Sequence, residues 1–309
     1  MKKPAITYRA ARASDLVPAQ KMIMVSFNDL RKKSGMARIK YKITGPDPWM
    51  AHFIKTDPEG AFAAFDKQDR LIGYAQALIR ENEWYLGFLF VLPEFQSAGV
   101  GGRLLKRALD YGRRNRGIKR WALATFAYNP QAIAIYSKHG MTPQSPLIAM
   151  VRKWDEKRPP RPIKGGCTAR VVTEIDHKLI GRLTAFDRKV RGIARPEEHF
   201  LWSDTDTIYP LVFLEGRRIL GYCVVTKGGS IGPIAASRPE LLKPILISAL
   251  NYGLVLGHTR QLIQAVGENV EIVRLLMDNS FRIEETSLVM ASERFADPQR
   301  YIPGHLAHY

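Results

Sequence analysis

A glycine-rich turn lies between an apolar run and a segment with helical leucine spacing. The apolar run, residues 86–92, predicts a strand buried on both faces, and Pro93 ends it because proline has no N–H for a sheet ladder. Gln96, Gly99 and Gly101 follow with Gln-x-x-Gly-x-Gly spacing, directly before the predicted helix. A glycine turn that opens a helix leaves backbone N–H groups free at the positive end of the helix dipole. The stretch therefore predicts an anion-binding site.

This spacing differs from two better-known phosphate loops. It is not the Gly-x-Gly-x-x-Gly of dinucleotide-binding folds, and it lacks the Lys-Ser/Thr ending of a P-loop. On the glycines alone, an ordinary strand-to-helix turn is the simpler interpretation. A second patterned segment favours a functional interpretation of the turn. It is Asn-Pro-Gln-Ala-Ile-Ala-Ile-Tyr-Ser-Lys-His-Gly-Met at residues 129–141.

Together the two segments resemble motifs A and B of the GNAT N-acetyltransferase superfamily. They occur in the family's order and at its usual separation, and the resemblance covers roughly residues 5–153. One position departs from the pattern, because Met141 stands where the family usually has phenylalanine. The resemblance implies the acyl-CoA N-acyltransferase (GNAT) fold, an α/β fold with a mixed sheet, and acetyl-CoA (coenzyme A) as co-substrate.

The resemblance also implies a set of cofactor-binding residues. In the family, the first segment binds the pyrophosphate of coenzyme A, the strand before it faces the thioester, and the second segment contacts the pantetheine arm and the sulfur. The corresponding positions here are Phe90, Val91, Gln96, Ser97, Ala98, Gly99, Val100, Gly101, Gly102, Asn129 and Tyr136.

Two residues are predicted to act in catalysis. Tyr136 is the candidate general acid, because a phenol with a pKa of about 10 can protonate a departing thiolate. The alternative for Tyr136 is a core position beside Ile133 and Ile135. Glu83 is the carboxylate nearest the central strand and is the candidate general base, although a glutamate at a strand end is more often merely exposed. No histidine has a trusted metal-ligand spacing, so no metal is expected.

The charge of the chain is concentrated in its first half. The 309 residues carry a net charge of +18, and residues 1–165 hold 30 Lys and Arg against 13 Asp and Glu. This field could steer the phosphates of coenzyme A, bind nucleic acid or an acidic partner, or be only a solvated face. All of these interpretations stay open.

Other features of the composition concern location. No apolar run approaches the ~18–20 residues of a membrane span, and no apolar signal-peptide core follows Met1. Cys167 and Cys223 lie in apolar or small-residue contexts and are expected to be reduced thiols. We therefore expect a cytoplasmic protein without membrane contact.

Periodicity predicts antiparallel strands followed by a strand–helix–strand–helix tail, which suits a mixed sheet with helices on both sides. The predicted strands of the first half are residues 6–9, 60–65, 70–79, 84–92, 120–125 and 147–153, and the predicted helices are 14–33, 48–55, 100–116 and 130–139.

The second half repeats the first faintly. Residues 155–166, charged and rich in proline and glycine, predict a linker between a domain at 1–154 and a domain at 167–309. Asn269 repeats Asn129, but Leu276 stands at the position of Tyr136, and no Gln-x-x-Gly-x-Gly precedes the second long helix. The second half resembles the degenerate C-terminal domain of tandem GNAT proteins. It is expected to shape the acceptor site, a dimer interface, or both.

The sequence thus predicts an acetyl-CoA-dependent N-acetyltransferase that acts by direct attack of a primary amine of a small molecule or protein. Two alternatives stay open: an acetyltransferase for a nucleic-acid-associated substrate, and a non-catalytic acyl-CoA sensor or scaffold. The acceptor amine, a homodimeric state and any ligand of the second domain are not specified by the sequence, because acceptor sites are built from variable loops.

Overall fold

The computed structural model describes residues 6–294 and 296–309. In the first half the elements are β1 (Thr7–Ala10), α1 (Leu16–Lys33), α2 (Pro48–Thr56), β2 (Ala61–Phe65), β3 (Leu71–Arg80), β4 (Glu83–Val91), α3 (Val100–Arg114), β5 (Arg120–Phe126), α4 (Pro130–Lys138) and β6 (Thr142–Lys153). In the second half they are β7 (Arg170–Val172), α5 (His177–Arg191), α6 (Pro196–Ser203), β8 (Ile208–Glu215), β9 (Arg218–Thr226), β10 (Ser230–Ala236), α7 (Pro239–Val255), β11 (Arg260–Val266), α8 (Val270–Asp278), β12 (Arg282–Ala291) and β13 (Tyr301–Ile302).

The two halves have the same order of elements and the same strand pairing. From β1 to β4 each strand pairs antiparallel with the next, and β4 pairs in parallel with β5 across α3. From β7 to β10 the strands are again antiparallel in chain order, and β10 pairs in parallel with β11 across α7. The predicted mixed α/β fold in two tandem copies is confirmed.

The final strand of the first half belongs to the sheet of the second. On one side β6 pairs with β11, from Arg260↔Lys153 to Val266↔Leu147, and on its other side it pairs with β12. This strand begins five residues before the predicted start at Leu147, because Pro143 and Pro146 look like strand breakers in the sequence. Pro143 is tolerated at a shift in the β6–β12 register, where a missing N–H is least costly.

The compact units of the chain therefore differ from the predicted domains. One unit is Met1–Leu123 and the other is Ala124–Tyr309, so the division falls within β5 rather than in the linker at 155–166. The reason is β6, whose Leu147 and Met150 are fully buried in the second unit. Residues 1–154 and 167–309 describe the sequence repeats, and whether each forms a domain of its own stays a prediction.

A buried polar cluster joins α5, α6 and β9 in the second unit. The carboxylate of Asp187 accepts hydrogen bonds from Tyr222 Oη at 2.7 Å and from Arg195 Nε at 3.1 Å, and His199 Nε2 lies 2.9 Å from it. All four side chains are at most 2% exposed. Burial would raise the pKa of Asp187, but the charge of Arg195 and the contact with His199 outweigh it and lower the pKa to about 2.

We expect the fragment 167–309 to lack a cooperative thermal unfolding transition, because β11 and β12 lose the strand that separates them. Circular dichroism melting would measure this, with the fragment 124–309 as the matched control that keeps β6. The full chain cut only within residues 155–166 should also keep its transition. Cooperative melting of fragment 167–309 at the temperature of fragment 124–309 would contradict the expectation.

We expect Asp187→Asn to lower the free energy of unfolding at pH 7 by about 3–5 kcal/mol, because it leaves buried cationic groups without their counter-charge. Tyr222→Phe, which removes only one hydrogen bond, should cost about 1 kcal/mol. Because the pKa is lowered in the folded protein, the contribution of Asp187 is complete above about pH 4 and disappears as the pH falls toward 2. Urea unfolding of the wild type and of Asp187→Asn would measure the difference between their free energies of unfolding, which should be smaller at pH 3 than at pH 7. Equal free energies of unfolding at pH 7 would contradict this role of Asp187.

Candidate functional site

The predicted anion loop lies between β4 and α3 in the first unit. After Val91 a 3-10 turn covers Pro93–Ala98, and Gly99 then adopts a left-handed conformation with φ +79° before α3 begins at Val100. Only glycine adopts that conformation without strain, so Gly99 is required by the turn itself. The predicted strand, turn and helix are therefore in place.

The next two glycines are not required by packing. A Cβ at Gly102 would meet no atom within 4 Å, and one at Gly101 would meet only Val91 Cγ2 at an ordinary 3.6 Å. Glycine lowers helix stability by roughly 1 kcal/mol relative to alanine. Two glycines in the first turn therefore destabilise the helix, although packing requires neither of them. The open space at this helix N-terminus is suited to the phosphates of a ligand.

The equivalent helix of the second half begins differently. Arg238 occupies the N-cap position of α7 without a side-chain capping hydrogen bond, Pro239 occupies the first position, and Glu240 places a carboxylate in the first turn. The first turn of α3 carries no acidic residue. A helix N-terminus that holds its own carboxylate disfavours a second anion, so the two copies differ at the point where an anion would bind.

Gln96 holds the loop against the strand that precedes it. Its Nε2 donates a hydrogen bond to the carbonyl oxygen of Val91 at 3.1 Å, and Ser26 Oγ donates to the same oxygen at 2.9 Å. The side chain of Gln96 therefore fixes the shape of the loop. A ligand contact at Gln96 would come from its backbone.

The second half of β4 is more exposed than a central strand would be. Its parallel pairing with β5 runs from Glu83↔Arg120 to Leu86↔Leu123, whereas β4 continues to Val91. Residues 83–86 are buried, but residues 87–90 are only half-buried, and the register with β3 shifts at Gly87. This geometry suits a strand that offers its backbone to a ligand, as predicted for Phe90 and Val91.

Cationic side chains follow the loop on α3. The guanidinium groups of Arg103 and Arg107 lie 5.6 and 5.7 Å from the ring centre of Tyr8. Both arginines are exposed in the first turns of the helix, where they add positive charge beside the loop. These two arginines were not among the predicted site residues. Their i, i+4 spacing on the predicted helix could have indicated them.

In the second unit, Asn129 is the N-cap of α4 and Tyr136 lies within that helix. Asn129 Oδ1 caps the helix by accepting a hydrogen bond from Ala132 N at 3.2 Å, and Asn269 caps α8 in the same way. The cap explains both asparagines structurally. Tyr136 is 7% exposed, and burial raises the pKa of its hydroxyl, so it keeps its proton at every physiological pH. The equivalent Leu276 cannot donate a proton.

The placement of Glu83 does not favour a general base. It lies at the start of β4, eight residues before Val91 and about 26 Å away along an extended strand. Its carboxylate is buried and paired with Arg120, Nε to Oε2 at 2.8 Å. The ion pair holds this carboxylate at the start of the β4–β5 pair, where it anchors the two strands.

A pair that the sequence did not indicate lies beside Asn129. Tyr128 Oη donates a hydrogen bond to Glu285 Oε1 of β12 at 2.5 Å. The two residues are 157 positions apart, so no local pattern could have revealed their contact.

Two further findings concern metals and membranes. Among residues 6–294 and 296–309, no group of three or more His, Cys, Asp or Glu side chains is placed to hold a metal ion. The helices in those same ranges are all too short or too polar to cross a membrane. Cys167 and Cys223 are both free thiols.

Comparison with known proteins gives a family match in the first half of the chain. Residues 32–141 match the model of the acetyltransferase (GNAT) family. The uncharacterized N-acetyltransferase YhfO of Bacillus subtilis (strain 168) is 31% identical over 88 residues, which cover 26% of this chain and 58% of YhfO. The chain thus matches little more than half the length of that relative.

Solved structures give the fold over the whole chain. A candidate acetyltransferase from Pyrococcus horikoshii superposes with a TM-score of 0.74 at 18% identity, over 98% of this chain and 96% of that one. A tandem GNAT protein from the clavulanic acid biosynthesis pathway superposes with a TM-score of 0.58 at 12% identity, over 95% and 99% of the two chains. Residues 32–141 thus match the GNAT acetyltransferase family model, and over its length the chain has the fold of two tandem GNAT copies.

Proposed function

We propose that this protein is an acetyl-CoA-dependent N-acetyltransferase with one cofactor site, in the first copy. The observation that carries the proposal is the open cradle at the start of α3, where Gly101 and Gly102 leave space that packing does not need. The family match and the half-buried residues 87–90 of β4 support it. The second copy, with Pro239 and Glu240 at the equivalent helix, is proposed to bind no coenzyme A.

Acetyl-CoA, when bound, supplies an activated acetyl thioester. The backbone amides of residues 96–102 are proposed to hold its pyrophosphate, and charge-assisted hydrogen bonds of this kind contribute about 1.5–3 kcal/mol each. Backbone groups at Phe90 and Val91 are proposed to hold the pantetheine arm, with an N–H there stabilising the negative charge that develops on the carbonyl oxygen. Asn129 is proposed to bind the same arm, on the resemblance alone.

Tyr136 is the proposed general acid. Its buried hydroxyl keeps a proton that it can donate to the departing sulfur, and the proton is regained as the acceptor nitrogen loses its own. Because the hydroxyl is protonated before the reaction, it cannot accept the proton of the amine at that stage, and it is not proposed to activate the amine.

A nucleic-acid substrate is less favoured once the contacts of the basic residues in the first half are known. Three of its arginines have structural roles: Arg31 donates to Ala37 O at 2.8 Å, Arg120 pairs with Glu83, and Arg152 donates to Gln261 Oε1 at 2.7 Å. Thiol release from acetyl-CoA with a panel of amines tests the proposal. Tight coenzyme A binding without turnover of any amine would instead favour the acyl-CoA sensor.

We expect Gly102→Glu to raise the dissociation constant for coenzyme A at least tenfold, about 1.4 kcal/mol, because its carboxylate would oppose the pyrophosphate. The fold should persist, since the position is open and an acid in the first turn of a helix is stabilising. Gly181→Glu, at an open position within α5, is the matched control and should leave affinity unchanged. Calorimetry would measure binding; unaltered affinity of Gly102→Glu would show that the cradle holds no phosphate.

We expect Tyr136→Phe to lower kcat about 100-fold or more while the dissociation constant of coenzyme A stays the same. The wild-type kcat should show no loss from ionisation of this hydroxyl up to about pH 10, because burial raises its pKa above the ordinary value. Steady-state kinetics on a good acceptor from pH 6 to 10 would measure both effects. An unchanged kcat in the variant would assign Tyr136 to the core.

A further inference from the structure

The strand of the second copy that corresponds to β4 is irregular at the equivalent place. In β4, Gly87 is an extra residue in the register against β3, and parallel pairing with the next strand stops just before it, at Leu86. In β10, the register against β9 shifts between Ile231 and Ile234, and pairing with β11 stops at Ile231. In both copies, therefore, the strand continues past a bulge without its parallel neighbour.

The burial of this second half of the strand differs between the copies. Residues 87–90 of β4 are half-buried, whereas residues 231–236 of β10 are all buried. The difference is due to a segment near the end of the chain, residues 297–309, which lies against β10 and which we call the strap.

The strap pairs with β10 as an added strand. Its β13 runs antiparallel to β10, with Ile302 opposite Ile234 and Tyr301 opposite Ala235. The backbone N–H of Ala236 donates a hydrogen bond to the carbonyl oxygen of the residue before Tyr301, at 2.8 Å. Because β13 also contacts β11, the strap fills the gap that opens where β10 and β11 stop pairing.

Two glycines allow the strap to touch the backbone of β10. A Cβ at Gly304 would lie 2.6 Å from the carbonyl carbon and oxygen of Gly232 and from the nitrogen of Pro233. A Cβ at Gly232 would lie 2.7 Å from the carbonyl oxygen of Pro303. These distances are too short for any side chain, so the contact requires glycine on both segments.

The buried polar cluster of the second unit anchors the strap. Arg195, which is paired with Asp187, lies over the ring of Tyr301, 5.4 Å from its centre. Arg191 lies 5.6 Å from the centre of the same ring and donates a hydrogen bond to the main-chain oxygen of Tyr309. The two arginines thus hold the strap at two points, and both of the tyrosines they contact are buried.

We propose that the strap is a built-in peptide ligand of the second copy, which excludes coenzyme A from it. The strap occupies the part of β10 that corresponds to the part of β4 proposed for the pantetheine arm, so this inference rests on the proposed function. An extended peptide and a pantetheine arm both present amide groups that bond to an unpaired strand edge. Once the strap has taken that edge, it is closed to the arm, independently of Pro239 and Glu240.

The first test displaces the strap in the full-length chain. Gly304→Ala puts a methyl group against the backbone of β10, and we expect hydrogen exchange in peptides covering the strap and β10 to become at least tenfold faster. Peptides of β8 should exchange as in the wild type. Gly228→Ala, whose Cβ would contact only Thr226 Oγ1 at 4.0 Å, is the matched control and should also match the wild type. Unaltered exchange of the strap in Gly304→Ala would overturn the inference.

The second test removes the strap and uses pantetheine as the probe. A protease site inserted between the exposed residues Glu293 and Arg294 allows the folded chain to be cut. We expect the cut strap to co-elute with the protein at micromolar concentration and to be washed out in mild urea. With coenzyme A saturating the first copy, calorimetry should then detect pantetheine binding to the strap-free protein and none to the intact chain. A synthetic peptide of residues 294–309 should abolish that binding.

The outcomes separate this inference from the proposed function. A folded strap-free protein that binds no pantetheine would show that the strap does not occupy a pantetheine groove. If the strap-free protein unfolds, the hydrogen exchange of Gly304→Ala decides. An intact chain that binds no coenzyme A would contradict the proposed function, whereas hydrogen exchange and co-elution report on the strap alone.

Discussion

The insertion of β6 between β11 and β12 is the pairing on which the rest of the structure depends. Register pairs run from Arg260↔Lys153 to Val266↔Leu147 on one side and from Arg282↔Val151 to Ala291↔Thr142 on the other. Because β6 is an interior strand, the second unit cannot form its sheet without residues from the first half. β12 is also a neighbour of β5 in the sheet, and the contact between Tyr128 and Glu285 lies just after the end of β5.

Two copies of one architecture differ in a few residues at one helix end. In α3, glycines leave the N-terminus open to an anion, whereas in α7 a proline and Glu240 occupy the equivalent turn.

Local sequence patterns predicted most of the fold, but they did not predict contacts between residues that are distant in sequence. Periodicity and turn residues gave the strands and helices of the first half to within a few residues, and the loop at Gly99 is as the spacing indicated. Pro143 hid the start of β6, because its tolerance depends on a bulge formed with β12. The role of Glu83 was judged from nearness in sequence, and its buried partner Arg120 was invisible there. The contact between Glu285 and Tyr128 could not be predicted, because only the sheet topology brings these two residues together.

The order of synthesis gives the strand insertion a further consequence. β6 is complete at Lys153, but β11 begins only at Arg260 and β12 at Arg282. At ~5–20 residues per second of translation, the ribosome needs on the order of ten seconds to deliver these partners. Throughout that interval the nascent strand has two unpaired edges, which are templates for aggregation. The prolines and terminal basic residues of β6 interrupt such edges, so the features that hide the strand in the sequence also protect it during translation.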